Sequence, residues 1–196
     1  MNILKTLLAS AVLAASAAGA NAATYTADTL VSASAGACEG SASDCAANDR
    51  LNANNAVDGD SSTFYSLGLG GSLVVGFSEI VGNILPSTVS VFEVTFNRGT
   101  SHAEAADVYA IDESGSESLL GRITNRIGES SVFASSAFQY LKLVDVSEVE
   151  FPETTSFDGY DVAKIAIAPV PLPAGGLLLL GGLGGLAALR RRKKAA

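Results

Sequence analysis

Between residues 23 and 168 no stretch keeps a helical period for three turns; short alternating runs recur instead, cut by clusters of Gly, Asn, Asp and Ser. A packed helix needs apolar residues at three- and four-residue spacing, whereas a half-buried strand needs strict alternation. The clearest runs lie at 72–77, 107–111, 140–144 and 162–167, with weaker ones at 24–34, 118–123 and 131–133. A further strand is expected over 92–96, with Phe92, Val94 and Phe96 facing a core and Glu93, Thr95 and Asn97 facing water. Breaks fall at 58–62, 68–71, 97–99, 113–116 and 158–159, and 44–56 has room for one turn of helix. About eight short strands at this spacing predict a single all-β domain, a jelly roll or β-sandwich.

The two ends do not belong to that pattern. Residues 1–22 combine Lys5, an apolar run over 6–18 and small residues at Ala20 and Ala22, as a signal peptide removed by signal peptidase would. At the other end Val170, Pro171, Leu172, Pro173 and Ala174 precede an uncharged run at 175–189, then Arg190, Arg191, Arg192, Lys193 and Lys194. Motif and run together give about twenty residues, enough to cross a bilayer core of about 30 Å as a helix. The basic cluster orients such a helix with its end in the cytoplasm and the body outside. Six of the fifteen residues at 175–189 are glycine, which weakens the helix, and two prolines keep its entrance extended.

Motif, apolar run and basic cluster in this order resemble the PEP-CTERM class of sorting signals, in its VPLPA variant. That resemblance implies recognition by an exosortase, a membrane-embedded transpeptidase-like enzyme of Gram-negative bacteria, with processing near Pro173 and Ala174. It implies an inner-membrane intermediate, with the membrane contacted through the C-terminal helix, and then a place at the cell surface or in the extracellular matrix. A plain single-span anchor is the alternative. The chain thus divides into a signal peptide at 1–22, a body at 23–168 and a sorting signal at 170–194.

The whole chain carries −8, but the body holds six basic residues against all twenty acids, a net −14. Such a body repels phosphate, which disfavours nucleic acid, and leaves divalent cations and neutral polymers such as extracellular polysaccharide as partners. Cys38 and Cys45 are the only cysteines, and an even count in an exported chain predicts a disulfide.

The segment 55–66, Asn-Ala-Val-Asp-Gly-Asp-Ser-Ser-Thr-Phe-Tyr-Ser, resembles the early motif of discoidin-like, galactose-binding-like jelly rolls. Ala56, Asp58, Gly59, Asp60 and Thr63 match it, with Tyr65 where that family usually has tryptophan. The resemblance implies a structural calcium at this turn, with Asp158 or Asp161 contributed from before the last strand. Hard cations favour such carboxylate, hydroxyl and carbonyl oxygens. The competing reading is an Asp turn bonded to its own backbone.

No nucleophile elbow occurs, the single histidine is His102, and tryptophan is absent. With no catalytic residue assigned, the chain is expected to be no enzyme. Tyr65, Arg98 and His102 are the candidates for ligand contact. Three classes follow: a glycan-binding surface or matrix protein, a structural matrix component without ligand, and a secreted hydrolase using an acidic pair.

Overall fold

Strands form where β-branched and aromatic residues alternate with small polar ones, and several end at turns that carry a glycine, such as Gly68, Gly115 and Gly128. The computed structural model describes residues 23–80, 82–95 and 101–170, and Ala23–Val170 makes one compact unit. The segment expected to be a signal peptide, the expected sorting tail from Pro171 onward and Arg98 lie outside the described residues. Among the described residues no helix is long and apolar enough to cross a membrane.

Eleven strands are present among them: β1 (Tyr25–Thr26), β2 (Thr29–Ser34), β3 (Tyr65–Ser66), β4 (Ser72–Gly76), β5 (Ser87–Phe92), β6 (Ala105–Ile111), β7 (Glu117–Thr124), β8 (Glu129–Ala134), β9 (Tyr140–Asp145), β10 (Asp161–Val162) and β11 (Lys164–Pro169). Eight of these have five residues or more, the number the turn spacing leads one to expect. They form an antiparallel sheet in the order β2-β4-β9-β6-β7, a second in the order β1-β11-β5-β8, and a small β10-β3 ribbon. The molecule is an all-β sandwich of two antiparallel sheets.

Alternation builds the core directly. Leu73 pairs with Leu143 and Leu143 with Val108, while Val75, Leu141 and Ala110 form the next row across the same three strands. Facing them from the other sheet are Val89 and Val91 of β5 beside Ile167 and Ile165 of β11. All ten are buried, and each large aliphatic side chain removed from water contributes about 1.5–3 kcal/mol.

Two readings need correction. The strand expected over 92–96 lies earlier, at Ser87–Phe92, and its assumed faces are reversed: Glu93 and Thr95 are buried, and Phe92 and Val94 are only half-buried. The physical reason is polar: beyond Phe92 the inward side chains bond to other polar groups and leave the apolar core. The region 44–56 holds short helices at Ala42–Cys45, Asn48–Leu51 and Ala53–Ala56 instead of one turn. Ser41 caps the first, accepting from the Asp44 amide while Asp44 accepts from the Ser41 amide.

Topology gathers the irregular segments at one end. There β5, β7 and β9 finish, β4, β6, β8 and β11 begin, and the loop after β2 crosses over. The chain leaves the body at the other end of β11, where the Val170 amide donates to the Pro86 carbonyl at 2.9 Å.

Candidate functional site

Polar residues converge at the end where β6 and β11 start. Glu104, immediately before β6, is fully buried, with Glu93, Thr95, Asn125, Ser156, Asp158 and Asp161 buried around it. Glu104 Oε1 accepts from Ser156 Oγ at 2.8 Å and lies 2.9 Å from His102 Nε2. Its Oε2 accepts from Asn125 Nδ2 and from Thr95 Oγ1, each at 3.2 Å. Thr95 is also within bonding reach of Glu93. Asn125 is the organiser: its carbonyl accepts from the Glu104 amide at 3.0 Å, and its amide donates to the His102 carbonyl at 2.9 Å.

The wall opposite is the stretch 156–161. Ser66 of β3 bonds to Asp161 across the β3–β10 pair. Arg50, itself buried, donates to two backbone carbonyls, of Asp158 at 3.2 Å and of Gly36 at 3.3 Å. The Asp158 carbonyl also accepts from the Gly68 amide at 2.7 Å. Behind this wall, the Asp145 carboxylate accepts from the amides of Gly70, Ser147 and Tyr160 and from the Ser147 hydroxyl. Gly159 has φ +70°, and a Cβ there would come within 2.7 Å of Asp145 Oδ2, so this turn requires glycine.

The Cys38–Cys45 disulfide, with S–S 2.01 Å, closes the loop that braces this wall from outside. Beside Cys38, the Glu39 amide donates to the Phe157 carbonyl at 2.8 Å, and Gly40 packs against the Phe157 ring. Phe157 in turn meets the His102 ring edge-on at 6.1 Å. The space between these elements is a cleft of about 220 Å³ lined by Asp49, Phe64, Thr95, His102, Phe157, Asp158 and Asp161.

Burial sets the electrostatics. Glu104 is pushed up to about 8, first by loss of water and then by the charges of Glu93 and Asp158, against the Ser156 hydrogen bond. Asp161 is raised well above the ordinary range by burial and then by Glu104, and Asp158 is raised by burial, with Ser66 and Arg50 opposing. Carboxylate oxygens of Glu93, Glu104 and Asp161 lie within 4.8 Å of one another, as do ligand atoms of His102, Glu104 and Asp158. Either group could hold a metal ion, and an oxygen-only set such as the first suits a hard divalent cation.

The residues expected around calcium are thereby divided. Asp58, Asp60 and Thr63 form an exposed turn of their own: Asp58 accepts from the Asp60 amide at 2.8 Å and from the Thr63 hydroxyl at 2.7 Å. Asp60 accepts from the Ser62 amide at 2.8 Å and hydroxyl at 2.7 Å, which holds its carboxyl below the ordinary range. These bonds are the self-bonded turn that the sequence offers as the alternative to a calcium site. Asp158 and Asp161 belong to the buried group instead. Of the ligand candidates, His102 lines the cleft, while Tyr65 is buried in the core and pairs with Val162.

Sequence reasoning missed Glu93, Glu104, Asn125 and Asp145. One signal was present: Glu93 and Thr95 sit in an otherwise apolar alternation, where an inward turn of the polar set was the other option.

No family model and no curated protein matches the chain. Solved structures do match its fold. One is the CBM32-3 domain from a family 31 glycoside hydrolase of Clostridium perfringens, at 14% identity and TM-score 0.51, covering 74% of this chain and 96% of that one. Another is the C-terminal domain of a chitobiase from Bacteroides fragilis, at 12% identity and TM-score 0.51, covering 75% and 99%. A truncated AlyQ with CBM32 and alginate lyase domains matches at 16% identity and TM-score 0.50, covering 78% of this chain and 35% of that one. At these identities the likeness concerns the fold alone: the body has the two-sheet sandwich of CBM32 domains.

Proposed function

We propose that this is an exported surface or matrix protein whose sandwich binds glycan in the cleft between Phe64, His102 and Phe157, as a non-catalytic module. The cleft carries the reading. It sets half-buried aromatic rings beside hydrogen-bonding side chains in a concave space, the combination that holds a sugar's apolar ring face and its hydroxyls. At about 220 Å³ it suits one sugar residue better than a long oligosaccharide. The shared fold with CBM32 domains supports the same conclusion.

We propose further that the C-terminal tail is held at a membrane and processed by an exosortase, as the sequence leads us to expect.

Isothermal titration of residues 23–170 with polysaccharide from the producing cells, and with neutral hexoses, tests the binding reading. Heat of binding that disappears in Phe157→Ala is expected; no binding by the parent protein would remove the proposal. Intact mass of the mature protein tests the sorting part: loss of residues beyond about Ala174 is expected, and a mass retaining 175–196 would restore the plain anchor.

A further inference from the structure

The same cleft has a marked charge preference. Three of its seven lining residues are aspartates, and Glu104 and Glu93 stand directly behind them. Lining residues Thr95 and His102 complete its polar surface. Among the described residues the arginine at this wall is Arg50, which donates to the carbonyls of Asp158 and Gly36. Two of its guanidinium nitrogens are thereby engaged in holding the backbone. The body's net −14 further repels anionic polymers before contact.

We propose that the cleft selects glycans bearing a free amine, such as de-N-acetylated hexosamine polymers, and rejects uronate-bearing ones; this rests on the glycan-binding reading above. Ionised carboxylates only accept hydrogen bonds, and an ammonium offers three donors with a positive charge. Placed among Asp49, Asp158 and Asp161, it supplies a positive partner to three carboxyl groups that line the cleft together. The ring face of the same sugar lies against Phe64 or Phe157. An N-acetylated residue offers one neutral donor in place of the charge, and a uronate brings a fourth carboxylate into the cleft.

The test is titration calorimetry on residues 23–170, the compact unit, with three oligomers of equal length: glucosamine, N-acetylglucosamine and galacturonic acid. Glucosamine oligomers are expected to bind at least about tenfold tighter than N-acetylated ones, with the margin shrinking as salt rises. Galacturonic acid oligomers are expected to give no measurable heat. The half-exposed Asp49→Asn, which leaves the core untouched, should reduce the preference severalfold; Asp158→Asn should reduce it further, and Phe157→Ala should abolish binding of every oligomer. Equal affinity for the amine and its N-acetyl form overturns the proposal, as does preference for the uronate. Either of these leaves glycan binding intact, because Phe157→Ala still maps the site. No binding of any oligomer or neutral hexose removes both readings together.

Discussion

The Asp58–Thr63 turn and the Glu104 cluster are both acidic, yet they solve opposite problems. In the turn, carboxylates stay in water and accept bonds from groups within five residues, and Asp60 is held below the ordinary range by Ser62. In the cluster, acids are drawn from residues 93, 104, 158 and 161 into a buried space, and Glu104 is pushed up to about 8. Local acids cap a loop at little cost. Distant acids brought together under burial retain protons, or await a positive partner, and that is where recognition can occur.

The largest effect that would break this contrast is truncation. Glu104→Ala strips partners from Asn125, Ser156 and His102 and leaves a hole, and is expected to destabilise the body by on the order of 3 kcal/mol in chemical denaturation. Glu104→Gln keeps the shape without the charge and should cost far less at pH 8. A loss as large as that of alanine would show that the charge itself holds the cluster together.

The two acid sets also imply opposite pH slopes. From the ordinary carboxylate range up to about pH 8, unfolded chains have released the Glu104 proton while folded ones keep it, so the folded state binds more protons. Stability should therefore fall as pH rises from about 5 to 8, by several degrees in melting temperature, and Glu104→Gln should flatten that limb. Asp60, held low, contributes stability that is lost only as pH falls through its folded value, a separate acid limb. A flat profile between pH 5 and 8 in the parent protein would contradict the buried assignment.

Reduction of Cys38–Cys45 sharpens the comparison from the other side. The short loop it closes is worth about 2 kcal/mol. Because that loop braces Phe157 by way of Glu39, loss of the disulfide should weaken ligand binding in the cleft as well as the fold. A Cys38→Ser, Cys45→Ser variant with unchanged ligand affinity would detach the loop from the site.

The smallest effects belong to the exposed turn. Asp58→Ala is expected to cost at most about 1 kcal/mol, and loss of the turn's acids to leave ligand affinity unchanged. With Asp58 and Asp60 already bonded within the turn, a calcium-dependent melting shift abolished by Asp58→Ala would overturn the self-bonded reading.

These differences explain what the sequence made legible. The sandwich was readable because alternation and turn residues act over a few positions: Leu73 and Val75 announce one buried face, and Gly115 and Gly159 mark turns with positive φ. The Asp58 turn was readable for the same reason. The cleft was not, because Glu93, Glu104, Asn125, Asp145 and Asp161 meet only after five strands have taken register, and no spacing along the chain joins them. The turn at Asp158 and Gly159 was recognised, but its packing against Asp145 follows from tertiary approach alone.

One residue reports on the central claim with little ambiguity. His102 is the only histidine, lines the cleft and lies 2.9 Å from Glu104, so the imidazole signals in an NMR spectrum of residues 23–170 come from a single known place. Titration with a glycan that binds should shift those signals in proportion to occupancy. Binding observed by calorimetry while the His102 resonances stay fixed would place the ligand elsewhere and contradict the cleft as the recognition site.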